Sequence, residues 1–246
     1  MCYNIAAKSS IKALQKKYGI KIDIQMTIQT FYQVSGFAHP KLPVLAQEQP
    51  SEFSMMQWGL IPAWAKGEEK AIELSNIALN ARAETIFDKP MFRNSIASRR
   101  CILPVDGFYE WRKSAKVNYP YYIYPKDKDL FSLGCVYDIW PNTVTGELIS
   151  SFSIITTEAN EVMAMINSKK RMPLQLNDED WRRWLDPTAS QSEIQALLKP
   201  AASEALSFHT ISRKISNHNL DSNYPEIQTE VNYPELEEGY RQNTLF

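Results

Sequence analysis

An α+β domain is the fold class this sequence predicts: a twisted, largely antiparallel sheet or partly open barrel with peripheral helices. Three observations carry the prediction. Segments rich in β-branched and aromatic residues, "RRCILPVDGFYEW", "YPYYIYP", "LFSLGCVYD" and "SSFSIITT", follow one another closely, separated by Pro, Asn, Asp or Gly. Helical patterns stand ahead of this block and behind it. The 246 residues, 44% of them hydrophobic, suffice for one sizeable core or two small ones.

Taken in order, Ser9 or Ser10 caps a first helix through "IKALQKKY", which Gly19 ends. From Phe31 to Trp58 prolines interrupt apolar residues, and "FSMMQWGLIPAW" is a strand running into a proline-broken loop. "PNTVTGE" turns the last hairpin of the strand block. Helix returns at "NEVMAMI", where Asn160 caps and Val162, Met163 and Ile166 share a face. Asn177 precedes "DEDWRRWL", which buries Trp181, Trp184 and Leu185. Ser190 and Glu193 form a capping-box pattern ahead of Ile194, Leu197 and Leu198. After Asp221 the chain turns acidic and poor in aliphatic residues, so residues 1–220 are expected to form the domain and 221–246 a tail, draped on the surface or disordered.

A net charge of −1 gives no overall positive field to recruit nucleic acid, so a polyanion site has to be a local basic patch. Cys2, Cys101 and Cys135 are an odd, sparse set without metal-type spacing. They argue against a disulfide framework and a zinc site and for a reducing cytoplasm; no cofactor is called for. The start lacks a basic segment followed by an apolar core, and no apolar run is long enough to span a bilayer. Neither secretion nor membrane insertion is expected.

Cys2 directly follows the initiator methionine, which aminopeptidases remove when the next side chain is small. The product carries an α-amine of reference pKa about 7.7 to 8.0 and a thiol of about 8.5 on one residue. The amine condenses with an aldehyde to a Schiff base, and the tethered thiol closes a five-membered thiazolidine. Position alone is equally consistent with a chance small residue, so other residues must decide.

They occur in order: "WGLIPAW" (58–64), "NARAET" (80–85), "RRCILPVDGFYEW" (99–111), "SIITTEAN" (153–160) and "KRMPLQL" (170–176). With the N-terminal Met-Cys, these blocks resemble the SOS-response-associated peptidase (SRAP) family, up to about position 220. The resemblance implies a sensor of abasic sites in single-stranded DNA, linked covalently through Cys2 to the opened deoxyribose. It assigns Glu110 as the acid-base carboxylate that opens the sugar and expels water. Set among Phe108, Tyr109 and Trp111, that carboxylate is expected to be partly desolvated and its pKa raised, although strand glutamates are usually solvated. Asn80 matches the family's site asparagine, with a turn or cap as the plainer alternative.

DNA contact is expected from Arg82, Arg93, Arg99 and Arg100, and from Lys169, Lys170 and Arg171 on a further loop, through forked contacts to phosphate. Trp58 is a candidate to stack on unpaired bases, whereas Trp64 is read as core. Two departures from the family stand out. Tyr3 and Asn4 follow Met-Cys where the family usually has Gly-Arg, and Asn167 stands where it has an active-site histidine. An amide hydrogen-bonds the sugar but cannot shuttle a proton, which leaves more of the transfer to Glu110, with His209 and His218 as possible substitutes.

At the end of the chain, Gln242, Leu245 and Phe246 have the Q-x-x-L-F spacing of peptides that dock on bacterial sliding clamps; a frayed terminus is the alternative. Three functional readings therefore stand: a covalent abasic-site trap, a thiol peptidase or autopeptidase using Cys2, and a non-catalytic single-stranded DNA binding module.

Overall fold

In a computed structural model, which describes residues 2–20, 27–127, 129–217 and 219–236, the strands sort into two sheets. The first part of the chain lays down β1 (Asn4–Ala7), α1 (Ile11–Tyr18), β2 (Phe31–Ser35), β3 (Lys41–Ala46), β4 (Phe53–Trp58), α2 (Glu68–Ile77), β5 (Asn80–Arg82) and α3 (Arg93–Ser98). Long strands follow: β6 (Arg100–Val105), β7 (Gly107–Ser114), β8 (Val117–Pro125), β9 (Phe131–Pro141) and β10 (Leu148–Glu158). The chain continues through α4 (Glu161–Ile166), β11 (Arg171–Pro173), β12 (Gln175–Leu176), α5 (Asp180–Leu185), α6 (Gln191–Leu197) and β13 (Leu206–Thr210).

One sheet has the order β13-β8-β7-β1-β2; the other runs β11-β10-β4-β3-β6-β9-β12, with β5 also on β10. Among the described residues every strand pairing is antiparallel except those of β10 with β4 and β5. The fold is α+β, as the composition of the strand segments indicates. β6, β9 and β10 are apolar on both faces because both are covered. Leu103, Cys135 and Ile154 face a core shared with Phe108 and Ile123 of the first sheet. Their neighbours Ile102, Val136 and Ile155 face a second core under Leu14 and Tyr18 of α1 and Trp181 and Trp184 of α5.

The cap signals operate as read. Ser10 Oγ accepts from Ala13 N, and Gly19 closes α1 in the left-handed conformation at φ 68°. Asn160 caps α4, and Ser190 with Glu193 completes the capping box of α6. Asn177 Oδ1 accepts from Glu179 N and Asp180 N at the start of α5. Two helices were not expected: α2 opens on a glycine without a side-chain cap, and α3 also lacks one.

The segment from Asp221 was expected to lie on the surface or be disordered, yet it joins the packed body as far as Leu236. Ile227, Tyr233 and Leu236 are buried, Gln228 Nε2 donates to Tyr109 Oη, and Glu230 bridges Ile211. Its few apolar residues are spaced to reach the edge of the first sheet, which average composition does not reveal. Met1, His218 and the motif of Gln242, Leu245 and Phe246 lie outside the described residues. No described helix is long and apolar enough to cross a membrane.

Candidate active site

Four side chains from four parts of the sequence converge where the sheets meet. β1 lies between β2 and β7, with Asn4 opposite Tyr109 and Ile5 opposite Phe108, which lays Cys2 against the strand that carries Glu110. Asn80, first residue of β5, donates from Nδ2 to the Cys2 carbonyl at 2.9 Å. Its Oδ1 is enclosed without a partner among the described residues, leaving an unpaired acceptor on the side chain that holds Cys2. Asn167 ends α4, which rests on β7; its Oδ1 accepts from Lys169 N at 2.8 Å, which turns the amide nitrogen towards the Glu110 carboxylate.

Electrostatics follows from this enclosure. Glu110 is only 7% exposed, and burial pushes its carboxyl up to about 7, against the Asn167 amide and the Lys169 charge, which favour the ionised form. Cys2 is fully buried; desolvation, and then the negative charge of Glu110, raise its thiol far above the ordinary range. The site therefore holds a protonated thiol beside a carboxyl that gives or takes a proton near neutral pH.

Neither described histidine is available to ionise that thiol. His39 holds Trp58 O at 2.7 Å and Asn76 Oδ1 at 2.9 Å, and His209 holds Gln228 O at 2.8 Å beside Tyr122 and Tyr124.

The SOS response associated peptidase (SRAP) family matches residues 1–218. This chain belongs to that family. It is 35% identical over 178 residues to "Abasic site processing protein YoqW" of Bacillus subtilis, covering 72% of this chain and 76% of the relative. To "Abasic site processing protein YoaM" of the same organism it is 36% identical over 191 residues, covering 76% and 81%. A crystal structure of a Bacteroides thetaiotaomicron protein superposes with a TM-score of 0.88 at 36% identity, over 94% of this chain and all of that one. One from Bordetella bronchiseptica, at 23% identity and a TM-score of 0.74, shares the fold.

In this SRAP chain the expected DNA contacts divide by exposure. Arg82 is 64% exposed at its side chain, and Arg93, Lys169 and Lys170 are also on the surface. Lys169 lies close enough to the Cys2 centre for its charge to act on Glu110, and Arg82 stands two residues after Asn80, 3.8 Å from Glu84. Arg99 is partly exposed but paired with buried Asp138, which also accepts from Ala63 N at 2.8 Å.

Arg100, Arg171 and Trp58 are corrections to the sequence reading. Arg100 is 1% exposed and donates to the backbone carbonyls of Ile96, Ala97, Trp184 and Asp186. Four of its five N–H donors are thus taken by carbonyls, and its burial closes the side chain off from phosphate. Arg171 is paired with Glu84 and bonds Thr156 O, tying the β11 edge to the turn after β5. Trp58 is fully buried, stacks on Phe152 and donates to Leu79 O at 2.9 Å. Trp64, read as core, is instead 48% exposed because Pro62 has already led the chain off the sheet.

Burial makes a stability prediction for Arg100. Arg100→Ala orphans four carbonyls and opens a cavity, and is expected to lower unfolding free energy by about 3 to 5 kcal/mol. Arg93→Ala, on an exposed helix start, should leave it within about 0.5 kcal/mol. Urea denaturation of the two variants checks this; equal midpoints would refute the structural role of Arg100.

Sequence reasoning missed Glu84, which pairs Arg171, and the loop from Ser35 to His39, which packs beside Tyr3. The Ser-Gly turn signal was the available clue to that loop.

Proposed function

We propose that this chain traps abasic sites in single-stranded DNA as a covalent adduct of Cys2. The observation that carries the reading is Cys2 enclosed against Glu110, a carboxyl that titrates near neutrality, with Asn80 fixing the cysteine backbone. The names of the relatives, abasic site processing proteins, supply the substrate class.

The chemistry starts once the initiator methionine is removed. The α-amine of Cys2 attacks C1 of the ring-opened deoxyribose, giving a carbinolamine. Protonated Glu110 delivers a proton to the departing hydroxyl, and water leaves to form the Schiff base. The thiol sulfur then attacks the same carbon; the S–H proton leaves through the Glu110 carboxylate, the nitrogen gains one, and a thiazolidine closes. The net change is DNA aldehyde plus N-terminal cysteine giving ring plus one water. A thiol kept protonated suits this order: the amine acts first, and sulfur follows as a tethered nucleophile. Asn80 Oδ1, buried without a partner among the described residues, accepts from a sugar hydroxyl or the amine in this reading. Arg82, Lys169 and Lys170 hold phosphates without reading sequence.

The test is incubation of the processed protein with abasic single-stranded DNA, followed by denaturing electrophoresis and intact mass. A species weighing protein plus DNA less one water is expected; its absence after long incubation rejects the proposal. Self-cleavage instead would point to the peptidase reading, which lacks a histidine facing Cys2 among the described residues.

A second prediction concerns Asn167. It offers Glu110 a donor but no titrating group. Asn167→His should speed adduct formation by about a hundredfold at neutral pH, the low end of what a second acid-base group contributes. Unchanged single-turnover rates would show that Glu110 alone suffices.

A further inference from the structure

An aromatic pair begins at the residue beside Cys2 in the chain. Tyr3, the residue after Cys2, is half-buried, and its ring centroid lies 5.1 Å from that of Phe37. Phe37 is 60% exposed, unusually open for a phenylalanine. It is not on a slack loop. Gly36 N donates to Tyr3 O at 2.8 Å, Phe37 N to Ser35 Oγ at 3.3 Å, and His39 N to Gly36 O at 3.0 Å. His39, in the left-handed region at φ 47°, is pinned through both ring nitrogens to Trp58 O and Asn76 Oδ1.

Below the turn lies the Trp58 ring. A Cβ on Gly36 would sit 2.9 Å from it, so only glycine lets the turn press against the buried indole. The backbone that carries Phe37 is thus held by a hydrogen-bonded turn seated on the core, and its ring is left out in solvent against Tyr3. An apolar ring exposed at such cost in solvation suits a flat ligand that arrives already unpaired.

We propose that Phe37, backed by Tyr3, is a stacking platform for the unpaired base next to the abasic nucleotide, and so a positioning residue for adduct formation. This rests on the reading of Cys2 as the trap. An abasic nucleotide has no base of its own to be held by, so its position depends on its neighbours. Arg82, Lys169 and Lys170 grip the backbone without setting register, whereas a base stacked on Phe37 sets the next sugar one nucleotide away, at Cys2. Stacking is indifferent to base identity, as a lesion sensor requires.

The test uses abasic single strands in three forms: with both neighbouring bases, with a baseless tetrahydrofuran unit on the 5′ side, and with one on the 3′ side. The rate of adduct formation at sub-saturating DNA is measured for wild type, Phe37→Ala and Phe37→Trp. Wild type and Phe37→Trp are expected to lose about five- to tenfold when one particular neighbour is baseless. Phe37→Ala should be slowed by about the same factor on the complete strand and be indifferent to both neighbours. If Phe37→Ala keeps the wild-type dependence, the platform is refuted while the trap stands. If wild type forms no adduct, the trap fails; fluorescence anisotropy of undamaged single strands then decides the platform, weakened binding in Phe37→Ala supporting it and equal binding overturning it.

Discussion

Replacing Cys2 with serine is expected to abolish the adduct that survives denaturing electrophoresis, while leaving a Schiff base that borohydride traps. The substitution keeps the α-amine, so the first condensation is untouched. It replaces sulfur with a poorer nucleophile, so the ring that makes the product stable does not persist. Intramolecular closure draws on an effective molarity of roughly 10⁵ M or more in well-oriented cases, so its loss should appear as presence against absence rather than as a shift in rate. The buried thiol sharpens the point: raised far above its ordinary range, it is a poor free nucleophile, so the proposed trap relies on an electrophile already attached to the same residue. A stable adduct of equal yield in Cys2→Ser would overturn the ring mechanism. Retention of the initiator methionine should eliminate both products, because the amine is then a peptide nitrogen.

Glu110→Gln is the second large effect. A glutamine fills the same space but cannot move a proton, so adduct formation should slow by about 10² to 10⁴. The wild-type pH profile should show an inflection near 7 that the variant lacks. Stability changes in the opposite direction. The folded carboxyl titrates about 7 against an ordinary 4.5, so folding favours its protonated form. The native state is therefore most stabilised below about pH 4.5 with respect to this group. It loses that advantage as pH rises from 4.5 to 7 and gains nothing above. The displacement amounts to roughly 3 kcal/mol at pH 8, which Glu110→Gln should recover in part. A variant both slower and more stable at pH 8 than at pH 5, relative to wild type, identifies a group strained for function. Chemical denaturation at the two pH values, beside single-turnover rates, measures both. A variant equally active would remove Glu110 from the mechanism, and one whose relative stability is the same at both pH values would refute the raised carboxyl.

Much of this was legible locally. Caps at Ser10, Asn160 and Ser190 were readable because each satisfies backbone donors within three residues. The strands announced themselves because β-branched and aromatic residues cluster where a pleated surface is covered. Helices α2 and α3 were missed because neither has a capping side chain. Their formation depends on what they cover, in particular Ala71, Leu74 and Ile96 against the sheet body. The parallel pairings of β10 with β4 and β5 were equally unreadable, since they join segments far apart in the chain.

The same division runs through the site. Cys2, Asn80, Glu110 and Asn167 were recognisable as residue types in ordered motifs, because motif order is a property of the sequence. Which arginines face solvent was not. Arg82 and Arg100 read alike, yet one is open and the other is consumed by four carbonyls. Trp58 and Trp64 exchange their expected places for the same reason: strand direction and a proline turn, not residue type, decide which indole the core takes in. By itself the sequence determined the fold class, the helix caps, the family and the reactive chemistry of an N-terminal cysteine. Tertiary structure alone decided how far the carboxyl is enclosed, the protonated thiol, the identity of the exposed cations and the presentation of Phe37. Burial and proximity are properties of segments brought together across the chain, and a side chain's charge state and reach are set by what surrounds it rather than by what precedes it.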